Sequence, residues 1–227
     1  MVLNGSREGL FFAAITAARY VAPRKGRPAV LMPNPFYPAY GAGARAAGCE
    51  QIYLPTTLSN GFLPDLDSID EATLARTVAF FLASPANPQG SVASRAYFTR
   101  LKQLADRHGF MILSDECYSE IYTREAPGSM LECAGPDFTN VVAFQSLSKR
   151  SNLPGMRVGF AAGDRKFMAA FLELRNVAAP QVPVPLQHVA VAAYGDEAHV
   201  EENRRLYRIK FDRSEEHTSE LQSPKDL

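Results

Sequence analysis

The chain has little of anything that would mark a specialised environment. Basic and acidic residues both number 24, for a formal net charge of +0, so no surplus of either sign points to nucleic acid or an anionic membrane as a partner. Its three cysteines, Cys49, Cys117 and Cys133, are too few and too scattered for a disulfide framework. Their spacing matches no zinc pattern either. No apolar run reaches the length of a membrane span. The first residues lack the charged, apolar and small-residue succession of a secretory signal, and a reducing cytoplasm is the expected setting. What is present is an ordinary globular composition, 46% hydrophobic and 21% charged over 227 residues, enough for one large domain or two small ones.

Both ends read as interrupted. Met1 opens directly on a short apolar run and a turn, VLNGSREG. After Asp212 the chain becomes RSEEHTSELQS, a string that resembles the translation of a common sequencing adapter. Residues 213–227 are therefore expected to be a non-native tail outside the fold.

Between the ends, short apolar runs alternate with helical patterns. Ala29–Met32, Gln51–Leu54, Thr77–Ala83, Phe110–Leu113, Val141–Gln145 and Arg157–Ala162 read as buried strands. Glu8–Tyr20, Arg95–His108, Arg165–Arg175 and Leu186–Tyr194 read as helices, and His199–Phe211 as a charged amphipathic one. Ser94 is placed to cap the second of these, and Gly109 to stop it. Strands alternating with helices predict an α/β fold: three layers, αβα, around a mostly parallel sheet. Gly41, Gly43 and Ala46 spell G-x-G-x-x-A, but they follow a tyrosine- and proline-rich turn inside an alanine-rich helix pattern. No strand immediately precedes them, so a dinucleotide site is not expected there.

An open parallel sheet binds ligands at the carboxyl ends of its strands, and four polar signals fall there. Asn4-Gly5-Ser6-Arg7 follows Val2-Leu3. Ser84-Pro85-Ala86-Asn87-Pro88-Gln89-Gly90 follows Ala83. Ser114-Asp115-Glu116-Cys117-Tyr118 follows Leu113, and Ser146 and Lys149 follow Gln145. Each alone has an ordinary explanation. Asn-Pro-x-Gly is a common turn, Asp115 could cap a helix, and Gly-Ser commonly begins one. Their joint occurrence in this order is what asks for a shared ligand.

The segment Ser146–Phe160, SLSKRSNLPGMRVGF, taken with those signals, resembles the cofactor-attachment motif of the class I/II aminotransferases. The likeness covers essentially residues 1–212. It implies the fold-type-I architecture, with a seven-stranded sheet, and pyridoxal 5′-phosphate as cofactor. Residues 1–198 would form the large cofactor domain and 199–212 the start of an interdomain helix.

By this resemblance Lys149 carries the cofactor and, once freed, moves a proton between the substrate α-carbon and the cofactor. That work requires an amine pKa below that of a free lysine. Asp115 pairs with the pyridine nitrogen, and Tyr118 and Asn87 meet the ring oxygen from two sides. Tyr37 occupies the place of the stacking aromatic, with plain core packing as the competing explanation. Gly5, Ser6 and Arg7 would offer backbone N–H groups to the phosphate at a helix N-terminus, joined by Ser146 and by the forked guanidinium of Arg157. Arg150 either joins them or faces solvent or a partner subunit.

Three longer strings, SDECYSEIY, SLSKRSNLPGMRVGFAAGD and GDEAHVEENRRLYRIKFD, resemble one branch of the family. That branch exchanges an amino group between N-succinyl-LL-2,6-diaminopimelate and 2-oxoglutarate in bacterial lysine biosynthesis. Its partners would be a small amino acid and a 2-oxo acid, with a homodimer for the full-length protein. The arginine that holds the substrate α-carboxylate in the family lies in a C-terminal small domain outside this chain. Cofactor chemistry is expected here, with little transamination by the chain alone. A C–S lyase or decarboxylase on the same fold, or a ligand-sensing domain of a regulator, stays open as an alternative.

Overall fold

The computed structural model describes residues 1–222, with side chains to 214. A seven-stranded sheet runs in the order β1-β7-β6-β5-β4-β2-β3. The strands are β1 (Val2–Leu3), β2 (Ala29–Asn34), β3 (Glu50–Pro55), β4 (Thr77–Ala83), β5 (Met111–Asp115), β6 (Val141–Ser146) and β7 (Gly159–Gly163). Only β7 runs against its neighbours, pairing antiparallel with β6 and with β1. The mostly parallel sheet expected from the alternating pattern is present.

Strand side chains alternate between two cores, as the pleat requires. Val30, Met32, Ala79, Phe81, Met111, Leu113, Val142 and Phe144 face one side. They pack against α1 (Ser6–Tyr20), α2 (Pro38–Ala46) and, through Phe167 and Phe171, α6 (Arg165–Ala178). Leu31, Phe80, Leu82 and Ile112 face the other side. There they meet Leu74 of α3 (Glu71–Arg76) and Phe98, Leu101 and Leu104 of α4 (Arg95–His108). These strands read as near-continuous apolar runs because both faces are covered. Ser94 caps α4 by accepting from the Tyr97 N–H at 3.2 Å, and Gly109 ends it in the left-handed region at φ 68°.

Three further helices complete the fold: the short α5 (Leu147–Arg150), α7 (Val184–Gly195) and the long α8 (Ala198–Gln222). A small third core of Leu147, Val158, Val182 and Ala190 joins α5 to α7. α8 is clamped to α5 by Asn203, whose amide donates to the Lys149 and Arg150 carbonyls at 3.1 and 3.3 Å. It is also tied to the chain after β5, where Arg204 donates to Glu120 at 2.6 Å and lies over the Tyr122 ring. Among the described residues, no helix is long and apolar enough to cross a membrane.

Several boundaries differ from the sequence reading. α1 begins at Ser6 rather than Glu8, with Gly5 as its N-cap. α7 begins at Val184 and carries Pro185 in its first turn, where a missing N–H is harmless. The final strand begins at Gly159, because Arg157 has φ 53° and leaves the extended region. α3, six residues long, is too short to show a helical period in the sequence. The backbone of α8 continues into the adapter-like stretch as far as Gln222, while residues 223–227 of the expected tail lie outside the described residues.

Candidate active site

The parallel strands end on one edge, and the polar signals collect there. β5 delivers Asp115 and, just beyond, Cys117 and Tyr118. β6 delivers Ser146 and then α5 with Ser148 and Lys149. β1 leads into the N-terminus of α1, while antiparallel β7 starts at this edge and brings Arg157. A cavity of about 350 Å³ lies between them, lined by Ser6, Arg7, Tyr37, Asn87, Asp115, Tyr118, Ser146, Lys149 and Arg157. Every sequence-predicted site residue except Gly5 lines it, and Gly5 sits directly behind Arg157.

At one end the cavity is built for an anion. The first N–H groups of a helix have no intrahelical partner, and α1 aims those of its opening turn at this edge with the positive end of its dipole. Gly5 has φ 79° and ψ 154°, a region essentially reserved for glycine. A Cβ there would stand 2.0 Å from an Arg157 guanidinium nitrogen, so the missing side chain is what lets the guanidinium lie against the turn. Arg157 is held by donating to the Pro154 carbonyl at 2.9 Å. Ser146 is buried and caps α5, its Oγ accepting from the Ser148 N–H at 3.1 Å, with the Ser148 hydroxyl 3.0 Å away.

One carboxylate intrudes on this positive end. Glu8 in the first turn of α1 would oppose an anion, but Arg175 of α6 grips both its oxygens at 2.7 and 3.1 Å. Arg175 also donates to the Val2 carbonyl at 3.0 Å, fixing β1.

At the other end stands Asp115. Its Oδ2 accepts from the Tyr40 hydroxyl at 2.6 Å, and its Oδ1 from the Cys117 N–H at 3.3 Å. Tyr40 is fully buried, stacked on Phe81 with ring centroids 4.3 Å apart. Burial first, and then the Asp115 charge, push the phenol pKa well above its usual range, so it stays a donor.

Between the two ends, Asn87 donates to the Tyr118 hydroxyl at 3.4 Å, and Lys149 Nζ lies 5.5 Å from the Tyr118 ring centroid. The loop bearing Asn87 is pinned by Ser84, whose Oγ accepts from the Ala93 N–H at 3.0 Å. Tyr37 lies at the cavity wall, edge-on to Tyr40, its hydroxyl accepting from Arg7 Nε at 2.6 Å. The Arg7 side chain is thus exposed and bound to Tyr37, leaving its backbone N–H as its contribution to the anion end.

Arg150 corrects an expectation. It neither lines the cavity nor faces solvent, but is buried, donating to the Ala193 carbonyl at 2.8 Å and to Glu197, with its guanidinium 5.1 Å from the Tyr194 ring centroid. It anchors α5 to the α7–α8 junction.

Sequence reasoning missed Tyr40, Cys117 and Glu116. Tyr40 was legible as one helical turn beyond Tyr37. Glu116 is buried on the far side of the strand end. It accepts from Ser114, Ser129 and the Met130 N–H at 2.9, 3.1 and 3.0 Å, and from Gln145 at 3.3 Å. Among the described residues, no cluster of three His, Cys, Asp or Glu could hold a metal ion.

The donor set fits a flat, phosphorylated pyridine aldehyde. An anion cradle at one end, a carboxylate at the other, a phenol and an amide between them, and an amine within the cavity match the phosphate, ring nitrogen, ring oxygen and aldehyde of pyridoxal 5′-phosphate.

The comparisons with known proteins agree with this geometry. An LL-diaminopimelate aminotransferase of Dehalococcoides mccartyi is 32% identical over 93% of this chain and 53% of its own length. The chain thus spans about half the length of the curated relatives it matches. A crystal structure of an aminotransferase from Neisseria meningitidis matches with TM-score 0.87 and 40% identity, over 94% of this chain and 54% of that one. One from Thermus thermophilus, described as a probable N-succinyldiaminopimelate aminotransferase, matches with TM-score 0.81 and 28% identity, over 92% and 54%. The family description Aminotransferase class I and II matches residues 3–223, and the chain belongs to that family.

Proposed function

We propose that this chain is the cofactor-holding part of a pyridoxal 5′-phosphate-dependent aminotransferase. Its amino donor is N-succinyl-LL-2,6-diaminopimelate, its acceptor is 2-oxoglutarate, and the whole protein works as a homodimer in lysine biosynthesis. The observation that carries this reading is one cavity holding Lys149, Asp115 and the α1 anion cradle together. When bound, the cofactor supplies an electron sink for the pair released at the substrate α-carbon.

The chain's own residues do the rest. The opening N–H groups of α1, Ser146 and Arg157 would hold the phosphate. Asp115, oriented by Tyr40, would keep a proton on the pyridine nitrogen. Tyr118 and Asn87 would fix the ring oxygen, and Tyr37 would cover one ring face. Lys149 Nζ would hold the cofactor's aldehyde carbon and, once displaced by the substrate amine, would move the α-proton across the intervening nitrogen to that cofactor carbon.

The substrate class draws support from the relatives. Some are named LL-diaminopimelate aminotransferase, and a structural neighbour is described as a probable N-succinyldiaminopimelate aminotransferase. The test is a single turnover of cofactor-loaded protein with each donor in turn, following the bound cofactor's spectrum and the keto product. For the whole protein, which includes the substrate-carboxylate arginine, the expected result is stoichiometric amino-group transfer, greater with N-succinyl-LL-2,6-diaminopimelate than with LL-2,6-diaminopimelate; this chain alone should transfer little. Ammonia or carbon dioxide release without transfer contradicts the reading and indicates a lyase or decarboxylase.

A further inference from the structure

Cys117 joins the two ends of the cavity, and the site as described so far gives its side chain no task. Its backbone N–H donates to Asp115 Oδ1 at 3.3 Å, and its thiol donates to Ser6 Oγ at 3.1 Å. The residue is 8% exposed, and its remaining exposure opens on the cavity. Among the described residues its other acceptor, the Phe144 carbonyl, is farther off at 3.9 Å. The short span to Ser6 bridges 111 positions of sequence.

A serine hydroxyl has one hydrogen to give and two lone pairs to receive. Ser6 is the first residue of α1, at the mouth of the anion cradle, and Gly5 before it makes no side-chain cap. A free hydroxyl there could rotate and present a lone pair, which repels an anion, as readily as its hydrogen. A donor from Cys117 occupies one lone pair and turns the O–H toward the cavity. The thiol can keep this role because it stays protonated. Burial, reinforced by the Asp115 charge, raises its pKa well above the usual thiol value.

We propose that Cys117 is a positioning residue for the cofactor phosphate: its thiol fixes the Ser6 hydroxyl as a donor to the anion site, while its N–H steadies Asp115. This deepens, and rests on, the reading of the cavity as a pyridoxal 5′-phosphate site. The phosphate-directed part has a signature that general loosening of the cavity lacks. Removing the thiol should weaken the phosphorylated cofactor while sparing pyridoxal, which lacks the phosphate.

The experiment titrates the full chain with pyridoxal 5′-phosphate and with pyridoxal, using wild type, Cys117→Ala, Cys117→Ser, Ser6→Ala and the Cys117→Ala/Ser6→Ala double variant. A net hydrogen-bond contribution of the usual size predicts that Cys117→Ala raises the Kd for pyridoxal 5′-phosphate by about threefold to tenfold. Pyridoxal affinity should change by less than about twofold, within the effect of a conservative change at a site that keeps its packing. Cys117→Ser, which keeps a donor, should restore most of the loss, and the double variant should bind no worse than Ser6→Ala.

Equal weakening of both ligands, no rescue by serine, or full additivity in the double variant overturns the proposal while leaving the cofactor reading intact. Wild type that binds neither ligand overturns both.

Discussion

Tyr40 and Asp115 meet at 2.6 Å, phenol to carboxylate, across 75 positions of sequence. The carboxylate proposed to face the pyridine nitrogen is thereby aimed by a tyrosine from a different layer. Because the Tyr40 ring is packed flat on Phe81, Tyr40→Phe removes the hydroxyl and little else. It should lower folding stability by roughly 1–2 kcal/mol and weaken cofactor binding. Thermal unfolding without and with pyridoxal 5′-phosphate checks this. A variant with unchanged ligand-induced stabilisation contradicts the orienting role.

Gly5→Ala should empty the anion end. Alanine is strained at φ 79°, ψ 154°, by about 1–3 kcal/mol, and its Cβ would drive the Arg157 guanidinium away. Pyridoxal 5′-phosphate affinity should fall at least about tenfold, the equivalent of 1.4 kcal/mol, with pyridoxal less affected. Isothermal titration of both ligands decides, and equal losses would speak against the cradle.

Arg175→Met should be among the most damaging single changes outside the cavity. The Arg175 and Glu8 side chains are 4% and 13% exposed, and breaking a buried pair on one side costs about 3–5 kcal/mol. It also frees a carboxylate beside the anion site and releases the Val2 carbonyl of β1. Denaturant unfolding measures the loss, and Glu8→Gln/Arg175→Met should recover part of it.

Glu116 gives the fold a distinctive pH dependence. Burial, the largest influence, raises its pKa above the ordinary 4.5, against hydrogen bonds from Met130, Ser129, Ser114 and Gln145 that act the other way. The folded state therefore holds this proton more tightly than the unfolded chain. The resulting stability is full below pH 4.5 and is lost as pH rises through the raised value. The stability difference between wild type and Glu116→Gln should shift against wild type as pH climbs through that window. A difference independent of pH would contradict a raised pKa.

The sheet was legible in the sequence because its strands are apolar on both faces and short, and because Gly109, Ser94 and the prolines punctuate the pattern. The lysine segment and the Asp115–Tyr118 pair were legible as polar residues following apolar runs, and the family resemblance gave them candidate roles. α3 was not legible, since six residues hold too little periodicity to read. Nor were the partners of buried polar groups. Cys117 and Ser6, or Arg150 and Glu197, come together only through the stacking of separate elements, and no local pattern encodes such a meeting. Arg157 shows the same limit: its left-handed backbone, not its place near a strand, turns it to the cavity.

The central claim is that Lys149 holds the cofactor, and the most direct measurement is covalent. Wild-type protein and Lys149→Ala are mixed with pyridoxal 5′-phosphate, reduced with borohydride, digested and mapped by mass spectrometry, with the folded state of both checked by circular dichroism. The account predicts a visible absorption band and a pyridoxyl group on Lys149 in wild type, and neither in the variant. Identical spectra for the two folded proteins, with no label on Lys149, would contradict it.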